Sequence, residues 1–130
     1  MAEDNKNLFN KKITHGSDNP YYVETKKQLD SVGKGFCLAK WTQVTLQLQT
    51  GHNHSCHHPR THKINTKEIA RNPSALHNTQ YKKLRRKEML TGKRPEECDY
   101  CWGVEDNSDR FSDRVFKSSE SWSLPDFDKI

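Results

Sequence analysis

Four cysteines are the residues whose type and spacing could do chemistry in this chain. Cys98 and Cys101 form a C-x-x-C pair, and two intervening residues let both sulfurs face one ion. Alone, the pair fits half of a zinc site, half of an iron–sulfur site or a redox pair. Cys37 and Cys56 stand upstream with Gly51 between them, in the order C-x13-G-x4-C. We expect all four sulfurs to meet at one metal site, the alternative being four unlinked thiols.

Histidines crowd Cys56 in the segment "GHNHSCHHP". On an extended strand His52 and His54 share one face with Cys56, from which their N–H groups could donate hydrogen bonds and tune a metal centre. His57 is a further candidate for this supporting role, although His57 and His58 cannot both point at one centre from an extended strand. Ligation by a histidine, as in a zinc site with Cys56, Cys98 and Cys101, is the alternative, and plain solvent exposure is the simplest interpretation.

Two tryptophans lie close to cysteines in the sequence. Trp41 follows Cys37 by four residues, and Trp102 directly follows Cys101. We expect both indole rings to shield the site from water, a role that overlaps with ordinary core packing.

A β-hairpin is predicted to position the first two cysteines. In "TQVTLQLQ" apolar and polar residues alternate, which favours a half-buried strand over Thr42 to Leu48. Gly51 is free to take a positive φ in the following turn, and the segment from His52 to Cys56 can return as the partner strand.

One main helix is predicted between the hairpin and the C-x-x-C pair. Asn72 can cap it, Pro73 suits its first position, and it should run to about Leu90 with Gly92 as the residue just beyond its end. Its predicted apolar stripe consists of Leu76, Tyr81, Leu84 and Leu90.

Composition predicts a small core. Of 130 residues, 31% are hydrophobic and 30% are charged, so we expect a small α+β fold stapled by its metal. The fold would comprise the two-stranded antiparallel hairpin and the main helix around the four-cysteine site, between terminal segments that look disordered. Residues 1–35 are expected to be a polar, flexible segment, 36–103 the metal-binding domain, and 104–130 an acidic tail or the start of a further domain.

Location follows from what the sequence lacks. It has no run of 18 apolar residues, and its start, "MAEDNKNLFNKK", has no apolar signal-peptide region. We therefore expect a cytoplasmic protein without membrane contact, and reduced cysteines that bind metal rather than form disulfides.

The cysteine order resembles the auxiliary-cluster domain of radical SAM enzymes, the SPASM/twitch type. Those domains begin with a C-x(9–15)-G-x4-C element on a β-hairpin, continue into a helix and end in further cysteines. Here "CLAKWTQVTLQLQTGHNHSC" resembles the hairpin, and "PSALHNTQYKKLRRKEMLTGKRPEECDYCW" resembles the helix with its C-x-x-C. The resemblance covers Phe36 to Trp102, about half of the chain.

The resemblance implies a cofactor and partners. Cys37, Cys56, Cys98 and Cys101 would bind one [4Fe–4S] cluster, as in the shorter twitch form. The C-x3-C-x2-C loop that binds S-adenosylmethionine in the family is absent from this sequence, so catalysis by this chain alone is not expected. It would act with, or be part of, a radical SAM enzyme, in electron transfer or in positioning a peptide-like substrate.

Two other functions remain open from the sequence. A structural zinc module could bind nucleic acid through a basic helix carrying Lys82, Lys83, Arg85, Arg86 and Lys87. Even in an iron–sulfur domain, this helix could make weak, non-specific contacts with phosphates. The third candidate is a non-catalytic interaction protein whose cysteines are incidental.

Overall fold

The chain folds as short helices around a small antiparallel sheet, which confirms the predicted α+β class. The computed structural model describes residues 19–130, so the predicted flexibility of residues 1–18 lies outside it. The helices are α1 (Pro20–Val32), α2 (Ala39–Thr42), α3 (Thr66–Arg71), α4 (Gln80–Leu90), α5 (Asp99–Asn107) and α6 (Asp113–Ser118). The strands are β1 (Thr45–Gln47), β2 (His52–His54) and β3 (His62–Lys63). Three 3₁₀ turns span Pro73–Leu76, Glu96–Cys98 and Leu124–Lys129.

The predicted hairpin is present but shorter than the sequence suggested. Strands β1 and β2 pair antiparallel with Thr45 opposite His54, and β3 adds a third strand on the far side of β2. Gly51 has a φ of 71° in the intervening turn, as expected. The prediction that a strand spans Thr42 to Leu48 is wrong at both ends, because Thr42 belongs to α2 and Leu48 to the turn.

The buried face of the hairpin is also not the predicted one. Val44 is 44% exposed and Leu48 is 70% exposed, so the apolar alternation does not face the core. Instead Asn53 and Ser55 of the second strand and its extension are buried. A hairpin buries the side chains on which the rest of the chain packs. Here those side chains come from β2 and the residues that follow it.

Helix α1 corrects the prediction of a flexible segment as far as residue 35. Asn19 caps it, since its Oδ1 accepts a hydrogen bond of 3.0 Å from the Tyr21 N–H, and Pro20 occupies its first turn. Tyr22, Thr25 and Leu29 are buried at helical spacing. Tyr21 and Tyr22, which lie in the predicted flexible segment, are inside this helix.

The predicted main helix is divided in two. The segment after Pro73 forms a 3₁₀ turn, and α4 starts again at Gln80, where Thr79 Oγ1 accepts a hydrogen bond from the Lys82 N–H. Its C-terminal end agrees with the prediction, with Gly92 at a φ of 84°. The predicted stripe is wrong, because Leu76, Leu84 and Leu90 are exposed and Tyr81 is only half-buried, whereas α4 buries Lys82 and Met89.

Residues 104–130 are folded against the rest of the chain, which corrects their interpretation as a disordered-looking tail. Helix α6 packs on α1, and its Val115 is fully buried. Arg114 is 1% exposed; its guanidinium donates a 2.6 Å hydrogen bond to Asp30 and a 2.8 Å hydrogen bond to the Phe36 carbonyl. Because Asp30 and Phe36 lie early in the sequence, these hydrogen bonds join the C-terminal segment to α1 and the loop that follows it.

The hydrophobic core lies where α1, α4, α5 and α6 meet. Its most buried members are Leu29, Phe36, Leu38, Met89 and Val115. Cys98, Cys101 and Trp102 belong to the same cluster, so the core borders the cysteines directly. Within residues 19–130, none of the helices combines the length and apolarity needed to cross a membrane.

Candidate metal centre

The four cysteines line one cavity, although two separate parts of the sequence supply them. Cys37 lies in the loop before α2 and Cys56 just after β2, whereas Cys98 ends a 3₁₀ turn and Cys101 lies in the first turns of α5. The cavity is narrow, with a volume of about 20 Å³, which is room for roughly one water molecule. All four cysteines are free thiols. The structure thus brings together the residues that the sequence selected.

Burial raises the pKa of each of these thiols. For Cys98 and Cys101 burial raises the pKa to about 12, and the nearby charge of Cys37 acts in the same direction. Burial is also the largest cause of the raised pKa of Cys37 and of Cys56. At neutral pH the thiols are therefore protonated, and a metal centre must displace their protons in order to bind.

Backbone N–H groups face three of the four sulfurs. Each N–H lowers the pKa of its thiol by hydrogen bonding, because it favours the thiolate over the thiol. The pairs, donor first, are Ala39 and Cys37, His58 and Cys56, and Arg114 and Cys101. Such N–H groups around thiolates are among the features that set the potential of iron–sulfur clusters.

Three cations line the same cavity, and sequence reasoning missed all of them. Lys40, Arg114 and Lys117 are part of its wall. Lys40 is only 4% exposed, forms an ion pair with Glu97 and donates a 3.1 Å hydrogen bond to Ser55 Oγ. Burial lowers the pKa of Lys40, but the charges of Cys98, Glu97 and Cys37 outweigh burial and leave that pKa raised. The wall thus carries three cations, of which Lys40 and Arg114 are paired with the carboxylates of Glu97 and Asp30, beside the Asp113 carboxylate.

Comparisons with protein families, curated proteins and solved structures found no match for this chain. Its chemistry must be read from its own side chains.

The spacing of the sulfurs distinguishes between metal centres. Among residues 19–130, no three cysteine sulfurs lie within 4.8 Å of one another. Four thiolates around a single zinc ion, each ~2.3 Å from the metal, would be roughly 3.8 Å apart. A four-iron cubane places a separate iron under each thiolate and so holds the sulfurs further apart. A zinc ion would therefore require the sulfurs to move together, and a cubane would require the cavity to widen.

His52 and His54 do not face the cavity, contrary to the expectation from strand alternation. His52 Nδ1 lies 2.8 Å from Thr61 Oγ1, and His54 Nδ1 lies 2.7 Å from the Cys56 carbonyl oxygen. Because β2 turns Asn53 and Ser55 inward, the two histidines lie on its other face. Among the described residues, the cavity is closed on this side by Ser55, which also accepts the hydrogen bond from Lys40.

His57 and His58 lie side by side, because this segment is not the extended strand on which the two side chains would point apart. The chain bends at residues 55–59, and the two imidazole centroids are 3.9 Å apart. His58 lines the cavity and hydrogen bonds through Nε2 to Asp113 Oδ2 at 2.5 Å. His57 points toward the same carboxylate, with 3.8 Å between its Nε2 and Oδ2. The prediction named His57 for a supporting role, but it is His58 that lines the cavity.

The two tryptophans differ in position. Trp102 is buried, lines the cavity and donates a 2.8 Å hydrogen bond from its indole N–H to the Pro95 carbonyl. Trp41 stacks obliquely on Phe36, with ring centroids 5.1 Å apart, and does not belong to the described cavity wall. Only Trp102 is therefore placed to shield the sulfurs.

The basic residues of α4 do not form one solvated face. Lys82 is 4% exposed, and burial together with the charge of Arg86 lowers its pKa to about 8. Arg86 donates a 3.3 Å hydrogen bond to the Lys40 carbonyl, and Arg85 pairs with Glu88 at 2.6 Å. Three of the five cations proposed to contact phosphates are thus already engaged within the protein.

Proposed function

We propose that this chain is an auxiliary iron–sulfur domain that holds one [4Fe–4S] cluster through Cys37, Cys56, Cys98 and Cys101. The meeting of these four thiols at one cavity is the observation that carries the proposal. A chance distribution of four cysteines over 130 residues would not be expected to converge there, because two come from the hairpin region and two from the α5 region.

The charges in the cavity wall support a cluster with thiolate ligands. Four thiolates around a cubane leave an overall negative centre, and an unpaired buried negative charge is costly. Lys40 of α2 and Arg114 and Lys117 of α6 bring positive charge to the cavity wall, in addition to the pairing of Lys40 with Glu97 and of Arg114 with Asp30. The backbone N–H groups at three sulfurs stabilise the thiolate form further.

The surrounding residues would control access to the cofactor. When bound, a [4Fe–4S] cluster supplies a one-electron redox centre. Trp102 excludes water on the core side, while the half-exposed loop carrying Cys56 and His57 leaves one side open to a partner. With a cysteine for each iron, no coordination site remains for S-adenosylmethionine. The domain would therefore transfer electrons or hold a peptide-like substrate for a separate radical SAM catalytic domain.

Production of 5′-deoxyadenosine tests this division of roles. The reconstituted chain, given S-adenosylmethionine and a strong reductant, should form none. A radical SAM catalytic domain with its own C-x3-C-x2-C loop should form it, and adding this chain should change how much substrate is converted for each S-adenosylmethionine cleaved.

A matched pair of variants makes the test specific. Cys56→Ser removes a proposed ligand, and we expect it to abolish the effect of the chain on substrate conversion. His52→Ala alters a nearby side chain that does not line the cavity, and we expect it to retain the effect. Formation of 5′-deoxyadenosine by this chain alone would mean that one cysteine is not a ligand, and the assignment would be wrong.

A further inference from the structure

A second cluster of ligand-type side chains lies at the mouth of the cysteine cavity. The ligand atoms of His57, His58 and Asp113 all lie within 4.8 Å of one another. Within residues 19–130, these are the three side chains of metal-ligand type that come this close together. The sulfur of Cys56 does not belong to this group, although Cys56 directly precedes His57.

Two contacts fix His58 in this cluster. Its ring stacks on Tyr100 with centroids 4.1 Å apart and an angle of 14° between the planes. Its Nε2 lies 2.5 Å from Asp113 Oδ2. The aspartate comes from the start of α6, so the cluster forms only when the C-terminal segment packs against the loop after β2. The adjacency of the two histidines in the sequence would not by itself place Asp113 beside them.

We propose that His57, His58 and Asp113 form a second metal site, which binds one zinc ion through two imidazoles and one carboxylate. Zinc ligands of this type lie ~2.0 Å from the ion, so tetrahedral ligand atoms are roughly 3.3 Å apart. The present separations of 2.5 Å and 3.8 Å from Asp113 Oδ2 lie on either side of that value. Small side-chain rotations are enough to accommodate the ion.

The site would keep an open coordination position. Three protein ligands with a water in the fourth position are the pattern of zinc sites that act on ligands rather than stabilise a fold. The side chain of His57 is 60% exposed, whereas that of His58 is 14% exposed, so the open side faces solvent at the cavity mouth. The positive charge of Lys117 in the cavity wall disfavours the binding of a cation. The negative charge of the Asp113 carboxylate offsets that effect. An oxygen or nitrogen donor of a bound substrate or partner could take the fourth position.

Zinc titration of the full chain tests the site, and zinc-edge X-ray absorption identifies the ligands. In the iron-loaded protein, we expect one further zinc with nitrogen and oxygen scatterers at ~2.0 Å and no sulfur at ~2.3 Å. The exposed His57→Ala variant should weaken this zinc at least ~10-fold, as should Asp113→Asn, since even the loss of groups around metal ligands costs that much. His52→Ala is the matched control and should leave zinc affinity unchanged.

The outcome can be separated from that of the iron–sulfur proposal. If the cysteines hold zinc instead of iron, sulfur scatterers will appear, and His57→Ala will still remove only the nitrogen- and oxygen-bound ion. Zinc binding that is the same in His57→Ala, Asp113→Asn and the parent protein would overturn the second site, as would a zinc signal with sulfur ligands alone.

Discussion

Lys40 is a buried cation whose surroundings keep it charged next to the thiols. Its ammonium pairs with Glu97; burial alone would lower the pKa of Lys40, but the Glu97 carboxylate, together with Cys98 and Cys37 when these are thiolates, leaves that pKa raised. A fixed positive charge stabilises the more negative, reduced state of a bound cluster. Its effect should therefore be visible in the reduction potential.

Replacing Lys40 by methionine should make the reduction potential of the reconstituted protein more negative by some tens of millivolts. Loss of the ammonium removes stabilisation of the reduced state, and the remaining Glu97 carboxylate adds to the shift. Protein-film voltammetry or a redox titration followed by electron paramagnetic resonance measures it. Lys40→Arg keeps the charge and should stay close to the parent potential. Equal potentials in Lys40→Met and the parent would show that Lys40 does not act on the cofactor.

Metal uptake should release protons from the cysteines. Since burial raises the pKa of Cys98 and Cys101 to about 12, these groups are thiols in the metal-free protein at pH 7 and thiolates once they ligate. Raised pKa values mean that protons oppose the metal, so affinity should increase as the pH rises. We expect one proton from each of the four thiols, in addition to the protons lost by the sulfide that enters the cluster. Anaerobic titration in weakly buffered solution measures the total, and a total no larger than the share released by the sulfide would indicate that the cysteines do not ligate.

The sequence singled out the four cysteines as candidate ligands, but it did not indicate which charged residues line their cavity. A pair of cysteines at a fixed spacing, as in C-x-x-C and C-x13-G-x4-C, can be recognised directly in the sequence. Lys40, Arg114 and Lys117 carry no such signature, because a charged residue is by default expected at the surface. Only the fold shows that Lys40 and Arg114 are 4% and 1% exposed.

Among the glycines of residues 19–130, Gly35 in the loop between α1 and α2 leaves the least room for a Cβ. A Cβ on Gly35 would lie 2.1 Å from the carbonyl oxygen of Lys93, in the loop that follows α4. This approach joins the loop before Cys37 to the loop before Cys98. It also explains why the segment "SVGKGF" needs a glycine at position 35.

The Gly35→Ala variant should therefore be destabilised by about 1–3 kcal/mol, the usual cost of forcing extra atoms into packed structure. Gly103→Ala is the matched control: nothing lies within 4 Å of its added Cβ, and alanine favours the helix by up to about 1 kcal/mol. Urea unfolding of the metal-free and metal-loaded chains compares the two. Equal stability of Gly35→Ala and the parent protein would mean that these loops do not meet closely in solution.

Prediction of elements succeeded where local signals were strong and unopposed. Gly51 and Gly92 adopt the positive φ values that their turns require. Asn19-Pro20 carries the same capping signal as Asn72-Pro73 and starts α1. The polar composition of residues 1–35 nevertheless predicts a flexible segment there. The apolar alternation in "TQVTLQLQ" was misleading, because burial of a face depends on which other elements pack there.

For the molecule as a whole, the segment after Gly103 belongs to the structure that holds the cysteines. Phe111 is 5% exposed and meets Tyr22 of α1 and Phe116 edge-on, with centroid distances of 5.8 Å and 6.2 Å. Arg114 links α6 to Asp30, and its backbone N–H faces Cys101. Such contacts over long sequence separations have no local signature, so the sequence could not reveal them.

Phe111→Ala should lower the stability of the whole chain by about 3–5 kcal/mol and impair cluster loading. The exposed Trp122→Ala variant removes a similar aromatic group that is 47% exposed and should change both much less. Thermal unfolding and iron content after reconstitution measure the two effects. If residues 36–103 form an independent unit, Phe111→Ala will load iron as well as the parent protein does.

The metal content of the full chain, purified without oxygen from cells supplied with ⁵⁷Fe, tests the central claim most directly. Elemental analysis combined with Mössbauer spectroscopy counts iron and sulfide and reports their environment. We predict about four irons and four sulfides per chain in a single cubane species, with each iron bound by a cysteine. The Cys37→Ser, Cys56→Ser, Cys98→Ser and Cys101→Ser variants should each reduce that content. One zinc per chain bound by the four cysteines, with no iron, would contradict the assignment.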